Sequence, residues 1–264
     1  MTEIIAGPRS CDIKADAMTP QDYLFQLPDS TLANMAEAGV TIVRCIDELR
    51  DSSRNLVMDV LRDADAFVQW DHYPAGDVYD EYSRCQYYFH AHAPGGRSDT
   101  DFGHFHTFMD VRKSRRHASG RGPRPRLTHL VGISMTPTGF PVGLFTTNRW
   151  VTGEVWRKSD DIVAQLDRFS IQRYEDFPAD RWLTAMIVLF RPQIEKLLID
   201  RDLRLEQWQS AHPGADAFED TRLEVTSHLD ISLFEQIEAL DRELDRRNTS
   251  FEISKSTTLS GTIN

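Results

Sequence analysis

The sequence is short of positive charge, of cysteine and of long apolar runs. Its 30 Lys and Arg stand against 41 Asp and Glu, for a formal net charge of −11. That balance argues against general nucleic-acid binding, which relies on Lys and Arg neutralising phosphates, and against docking on an anionic membrane surface. The three cysteines, Cys11, Cys45 and Cys85, are scattered without a framework spacing, which fits a reducing compartment. The longest apolar stretch, residues 183–190, contains Thr184 and is far too short to span a bilayer. The first residues show no basic segment leading into an apolar core. These features predict a cytoplasmic protein with no membrane partner.

Several catalytic signatures are missing as well. There is no GxxxxGK[ST] phosphate loop and no GxGxxG after a strand-like run. There is no GxSxG elbow, no CxxC pair and no HExxH helix. What the chain does have is a 40% apolar fraction with 14 Phe, 7 Tyr and 5 Trp, enough to build a core over most of its 264 residues.

The chemistry-bearing stretch is residues 84–110, RCQYYFHAHAPGGRSDTDFGHFHTFMD, which holds four of the nine histidines as two His-x-His pairs, His90/His92 and His104/His106. The aromatic and β-branched neighbours favour extended backbone, and Pro94, Gly95 and Gly96 punctuate the gap between the pairs. Two antiparallel strands follow as the simplest local structure. Residues two apart in a strand share a face, about 6.5 Å apart. His90 and His92 then point the same way as Gln86 and Tyr88, and His104 and His106 the same way as Phe108 and Asp110. If the strands pair, up to four imidazoles converge. Neutral imidazole is the commonest metal-binding side chain and suits zinc, copper, iron and nickel. A single His-x-His is a weak signal, because strand histidines are often simply hydrogen-bonded. Two pairs on neighbouring strands are much stronger, with a proton-sensing histidine cluster as the competing explanation. His72, in FVQWDHYP, is a fifth candidate ligand. Asp77, Asp80 and Glu81 read as an exposed acidic turn whose carboxylates are placed to orient an imidazole.

Around this stretch the pattern is helical over 18–64, where Leu32, Met35, Ala36, Val40, Val43 and Ile46 follow three-to-four spacing. Residues 67–157 are β-rich, with a hairpin predicted from 127–135 and 140–147 around a Thr-Pro-Thr-Gly turn. In a regular strand His129 shares a face with Val131 and Ile133 and reads as a core or strand-entry histidine. Residues 158–248 are again helical, with 217–247 as a last acidic helix. The expectation is a single α+β domain over 18–248, an antiparallel sheet of at least four strands flanked by N-terminal and C-terminal helices. An irregular N-terminus, 1–17, and a loose polar tail, 249–264, lie outside it. Seven of the fifteen residues over 112–126 are Lys or Arg, making this basic loop a candidate contact for an anion or a protein partner, against the plainer alternative of a solvated loop. At the end of the hairpin, Asn148, Arg149 and Trp150 are candidate substrate contacts, Arg149 by a bidentate pair with a carboxylate or, alternatively, as a salt bridge at the sheet edge. Cys85 faces away from His90 in a regular strand, which argues against a Cys-His nucleophile.

The runs WDHYP, QYYFHAH, GHFHTF, GLFTTNRW and DRWLTAMIVLFRPQI resemble an uncharacterised bacterial protein family from about residue 67 to the last helix. The resemblance implies that these runs form one domain and carries no activity with it. The first pair, His90/His92, is also similar to the strand histidines of cupin-type metal barrels. This chain departs from that pattern by lacking the Glu that follows the first pair and by carrying a second His-x-His, so the likeness is one of site and not of fold.

Together these features predict a divalent transition metal, iron or copper before zinc, held by His90, His92, His104 and His106. Tyr88, Gln86 and Asp110 act beside it on a small-molecule substrate. Redox or oxygen-dependent chemistry is the first expectation. Zinc-dependent hydrolysis with Asp110 or an upstream carboxylate as base, or a non-catalytic metal sensor, remain open.

Overall fold

The structure, a computed structural model, describes residues 18–61, 68, 71–90, 102–111, 126–173 and 177–260, with side chains described as far as Asn248. The chain begins with α1 (Pro20–Leu24), α2 (Asp29–Asp51) and α3 (Leu56–Val60). Asn55 starts α3 by accepting the Met58 N–H at 2.9 Å, one of the amide groups that a helix start leaves unpaired. Five strands follow: β1 (Tyr73–Asp80), β2 (Cys85–His90), β3 (Gly103–Met109), β4 (Thr128–Met135) and β5 (Pro141–Thr147). Next come α4 (Arg149–Thr152), α5 (Ser159–Val163), a 3-10 turn at Leu166–Arg168, α6 (Pro178–Leu189) and α7 (Arg191–Ala211). The chain then returns to the sheet as β6 (Val225–Asp230) and ends in α8 (Leu233–Ser260).

The six strands form one antiparallel sheet in the order β1-β2-β3-β4-β5-β6, so the fold is α+β with helices before and after the sheet. One face of the sheet carries Tyr87, Phe89, Phe105, Val131, Ile133 and Leu144 into the main core, where they meet Trp182 of α6 and the apolar sides of α2 and α7. Tyr87 donates its hydroxyl to Asp180 at 2.6 Å, tying β2 to the first turn of α6. The opposite face carries the histidines. All seven residues of β3 are buried, so both faces of the central strand are covered.

Several local expectations change. The buried row of α2 is Leu32, Met35, Ala38, Gly39, Ile42, Cys45 and Leu49, while Val40 and Val43 are exposed. The helix packs this row against α6 and α8, with Gly39 against Ile237 of α8, and leaves Val40 and Val43 on its outer side. The predicted acidic turn at 77–81 is largely β1, which bulges between Tyr73 and Val78 at the positive-φ residues Gly76 and Asp77. The acidic helix expected over 217–247 is split. Residues 225–230, VTSHLD, pair with β5, and the helix begins only at Leu233. Tertiary pairing outweighs helical composition there, and the β-branched start of the run supports the strand. Pro192 lies in the first turn of α7, where its missing N–H costs nothing, so it opens a new helix after a break at Phe190. Helix α8 continues to Ser260, past the point at which the sequence suggests a loose tail. Among the described residues no helix is long and apolar enough to cross a membrane.

One ionic cluster holds the two ends of the described chain together. The buried Glu243 carboxylate of α8 accepts from Arg246 at 2.6 and 2.9 Å, from Arg247 at 2.7 Å and from Gln21 of α1 at 2.9 Å. Arg247 also donates to the Leu27 carbonyl at 2.7 Å, just before α2. The Arg246 hydrogen bonds outweigh burial and, with Arg247, hold the Glu243 carboxyl down at about 2. Because the folded value lies below the ordinary 4.5, the unfolded chain binds more protons between the two. The cluster therefore stabilises the fold above about pH 4.5 and loses its effect as pH falls toward 2. Thermal unfolding of Glu243→Gln is expected at a lower midpoint than wild type at pH 7, with the two converging near pH 2. Equal midpoints at pH 7 would remove the cluster from the stability of the fold.

Candidate metal centre

Strands β2 and β3 pair so that His90 stands opposite His104 and Tyr88 opposite His106. Directly opposed residues in an antiparallel pair share a face, so the register alone collects three imidazoles. The ring centroids are 4.4 Å apart for His90 and His104, 4.8 Å for His104 and His106, and 5.1 Å for His90 and His106. One ligand nitrogen from each lies within 4.8 Å of the other two. In a tetrahedral centre with bonds of about 2.1 Å, donor atoms sit about 3.4 Å apart. Small side-chain adjustments close the remaining gap. His104 and His106 are each only 1% exposed, whereas His90 is partly open. The site therefore has a closed floor and an accessible edge.

Aromatic rings form its walls. Tyr88 lies 5.1 Å from His106 and 5.8 Å from His90, and Phe108 lies 5.6 Å from Tyr88. Burial, and secondarily the charge of Asp77, raises the Tyr88 phenol and keeps it protonated. Phe145 of β5 sets its ring edgewise against His104 at 5.0 Å and His106 at 5.7 Å. It reaches there only because its cross-strand neighbour on β4 is Gly132: a Cβ at that position would stand 2.3 Å from Phe145 Cζ.

A fourth histidine joins the group, and sequence reasoning missed it. The β3–β4 register passes from Thr107 opposite Val131 to Phe108 opposite His129, so Leu130 is an extra residue in a β-bulge. The bulge turns His129 away from the face of Val131 and Ile133 and onto that of His106. His129 Nε2 lies 3.0 Å from His106 Nδ1. Its backbone N–H is taken by Glu154 Oε2 at 2.7 Å. Burial, with a smaller contribution from Arg201, lowers the His129 ring to about 3, so it is neutral at any physiological pH. Burial pushes Glu154 up to about 7 against the opposing pull of Arg201. A signal for the bulge is present in THLVGISM: Gly132 and Ser134 occupy one face, and an unbroken strand would leave the polar His129 on the other, among the core side chains.

The remaining candidates are placed as follows. His92 and residues 112–125 of the basic loop lie outside the described residues. His72 is not among the three converging ligands. It stacks on Tyr88 at 3.7 Å, lies 6.1 Å from His90, and is held by Asp77 through a 2.8 Å hydrogen bond at its Nδ1. Gln86, four residues before His90, donates to the other oxygen of Asp77. Asp110, four residues beyond His106, accepts Arg84 Nε at 2.7 Å, which holds it at the far end of β3. Asn148 caps α4 by accepting the Arg149 N–H, and donates to the Ala217 carbonyl. Arg149 pairs with Glu219 and Asp216 and lies over the Phe218 ring, the salt-bridge arrangement. Trp150 donates to the Leu223 carbonyl. Together these three residues fasten the 216–224 segment to the end of β5. Cys85 is buried on the opposite face of the sheet, and burial raises its thiol.

The Gly132–Phe145 contact yields a direct test. Gly132→Ala is expected to cost roughly 1–3 kcal/mol through overpacking, read as a shift in the urea midpoint. It also displaces the ring that backs His104 and His106. A Gly132→Ala protein as stable as wild type would mean that the ring does not depend on the glycine.

The three imidazoles make a neutral, nitrogen-only donor set of the kind that holds a transition metal, and its burial among aromatic rings fits such an ion. No curated protein and no solved structure matches the chain. Residues 36–231, from within α2 to the end of β6 and including all four clustered histidines, match the family model of a domain of unknown function, DUF6969, and the chain belongs to that family.

Proposed function

We propose that the protein is a metalloenzyme with a mononuclear centre held by His90, His104 and His106, acting by redox or oxygen-dependent chemistry on a small molecule. The observation that carries this reading is the convergence of three ligand nitrogens within 4.8 Å, beside the rings of Tyr88, Phe108 and Phe145. Among the described residues three ligands converge, and a three-ligand centre leaves a coordination position for substrate or water, the arrangement of catalytic sites, whereas structural sites are closed. Nitrogen-only ligation is compatible with iron, copper and zinc. The bound ion would supply electron transfer or Lewis acidity at that open position.

The chain's own groups divide the remaining work. Phe145 and Phe108 exclude water from the buried side, which strengthens electrostatic interactions there. The partly open His90, flanked by Tyr88 and His72, marks the side from which a small substrate enters. The Tyr88 phenol, kept protonated by burial, is a hydrogen-bond donor beside the centre. Asp110 is engaged by Arg84, so a zinc-hydrolase reading would turn to an upstream carboxylate as its base.

Protein purified without a histidine tag is expected to carry, or take up from iron(II), copper(II) or zinc(II), close to one ion per chain. Iron or copper with a paramagnetic resonance signal supports the redox reading, and zinc alone supports hydrolysis. A His90→Ala/His104→Ala double variant should lose the ion while keeping the far-ultraviolet circular dichroism of wild type. Uptake should weaken as pH falls below about 6.5, where imidazoles protonate. Folded protein that takes up none of the three ions would overturn the proposal.

A further inference from the structure

We infer that His129 is a positioning residue for the metal centre: it holds His106 through Nδ1 and so leaves Nε2 as the nitrogen that meets the ion. This inference rests on the metal-binding reading of His90, His104 and His106.

A neutral imidazole has one N–H and one lone pair available for ligation. His106 Nδ1 lies 3.0 Å from His129 Nε2, hydrogen-bonding distance, and both rings are about 1% exposed. One of the two nitrogens must carry the proton. If His106 ligates through Nε2, its proton is on Nδ1 and the bond runs from His106 to His129. Ligation through Nδ1 would break the bond and leave a buried His129 nitrogen without it. The geometry therefore selects Nε2. Metal-bound histidines usually give their second nitrogen to a carboxylate, a carbonyl or water, and loss of that partner weakens metal binding. Here the partner is another imidazole.

The backbone is shaped to deliver that partner. In an unbroken strand, with Leu130 in regular alternation, His129 would face the helical core and not His106. The bulge leaves the His129 N–H outside the regular ladder, and Glu154 Oε2 accepts it at 2.7 Å. The segment carrying Glu154 is itself fastened to the start of β4: Val155 N–H donates to the Leu127 carbonyl at 2.8 Å, and Thr128 Oγ1 donates to the Val155 carbonyl at 2.7 Å. Glu154 thus supports the bulge, the bulge aims His129, and His129 aims His106.

The test uses the full chain with cobalt(II) and zinc(II) as probe ions. In zinc-loaded wild type, long-range proton–nitrogen spectra of the imidazoles should show His106 protonated at Nδ1 and ligating through Nε2. His129→Phe, which keeps an aromatic ring and removes the acceptor, should bind cobalt(II) roughly 10–100-fold more weakly, with altered visible bands and unchanged far-ultraviolet circular dichroism. His129→Gln, whose amide oxygen can take the place of Nε2 as acceptor, should recover much of the affinity. The inference fails if His106 is protonated at Nε2, if His129 is itself a ligand, or if His129→Phe keeps wild-type affinity and spectrum. Should His129→Phe not fold, the wild-type nitrogen spectrum decides alone. Folded wild type that takes up neither ion sinks the metal reading, and the inference falls with it. Wild type that binds while His129→Phe binds equally well sinks only the inference.

Discussion

The centre depends on the pairing of two strands in one register. Opposing His90 to His104 and Tyr88 to His106 collects the imidazoles, and a slip of one residue would send one strand's side chains to the other side of the sheet. The histidines do not hold that register by themselves. It is set on the reverse face, where Tyr87 bonds Asp180, Phe89 packs edgewise on Phe105 at 5.0 Å, and Phe105 meets Trp182 at 5.8 Å. Alternation makes every gain in apolar packing on the helical side a constraint on the imidazole side. The core and the chemistry are written into the same two strands at alternate positions.

Behind the histidines lies a buried polar layer that links the sheet to α7. Arg201 is almost fully buried, lies 3.8 Å over the Trp156 ring, and donates to the Arg157 carbonyl and to Asp202. Asp202 in turn accepts the Ser159 N–H at 2.7 Å. The Arg201 charge acts on both supporting groups in the same sense, lowering His129 and lowering Glu154 against the upward push of burial. A buried cation of this kind is costly unless its hydrogen bonds are met, and several are. It anchors the segment that carries Glu154 beside the start of β4.

What is legible in the sequence is periodic. Alternation in QYYFHAH and GHFHTF places His90, His104 and His106 on strands, and the apolar run of α6 marks the helical core. What fails are the places where the period breaks. A bulge cannot be read from strict alternation, so the sequence puts His129 on the wrong side of its strand, as a core or strand-entry residue. Gly76 and Asp77, turn-forming residues inside a strand, hide β1. The acidic composition on either side of β6 hides that strand, because its pairing is with a strand some eighty residues earlier. The importance of Gly132 and Phe145 is a contact across strands, which no local pattern records. The partners of Arg149, Asn148 and Trp150 lie about seventy residues further along the chain, equally beyond a local reading.

The ring of Phe145 lying over Gly132 has an evolutionary consequence. The two positions share one volume, which is either a phenyl group on one strand or side-chain atoms on the other. Across the family they should therefore change together: a larger residue at 132 should accompany a smaller one at 145. A member with small residues at both would have a deeper floor beneath its imidazoles and would admit a bulkier molecule.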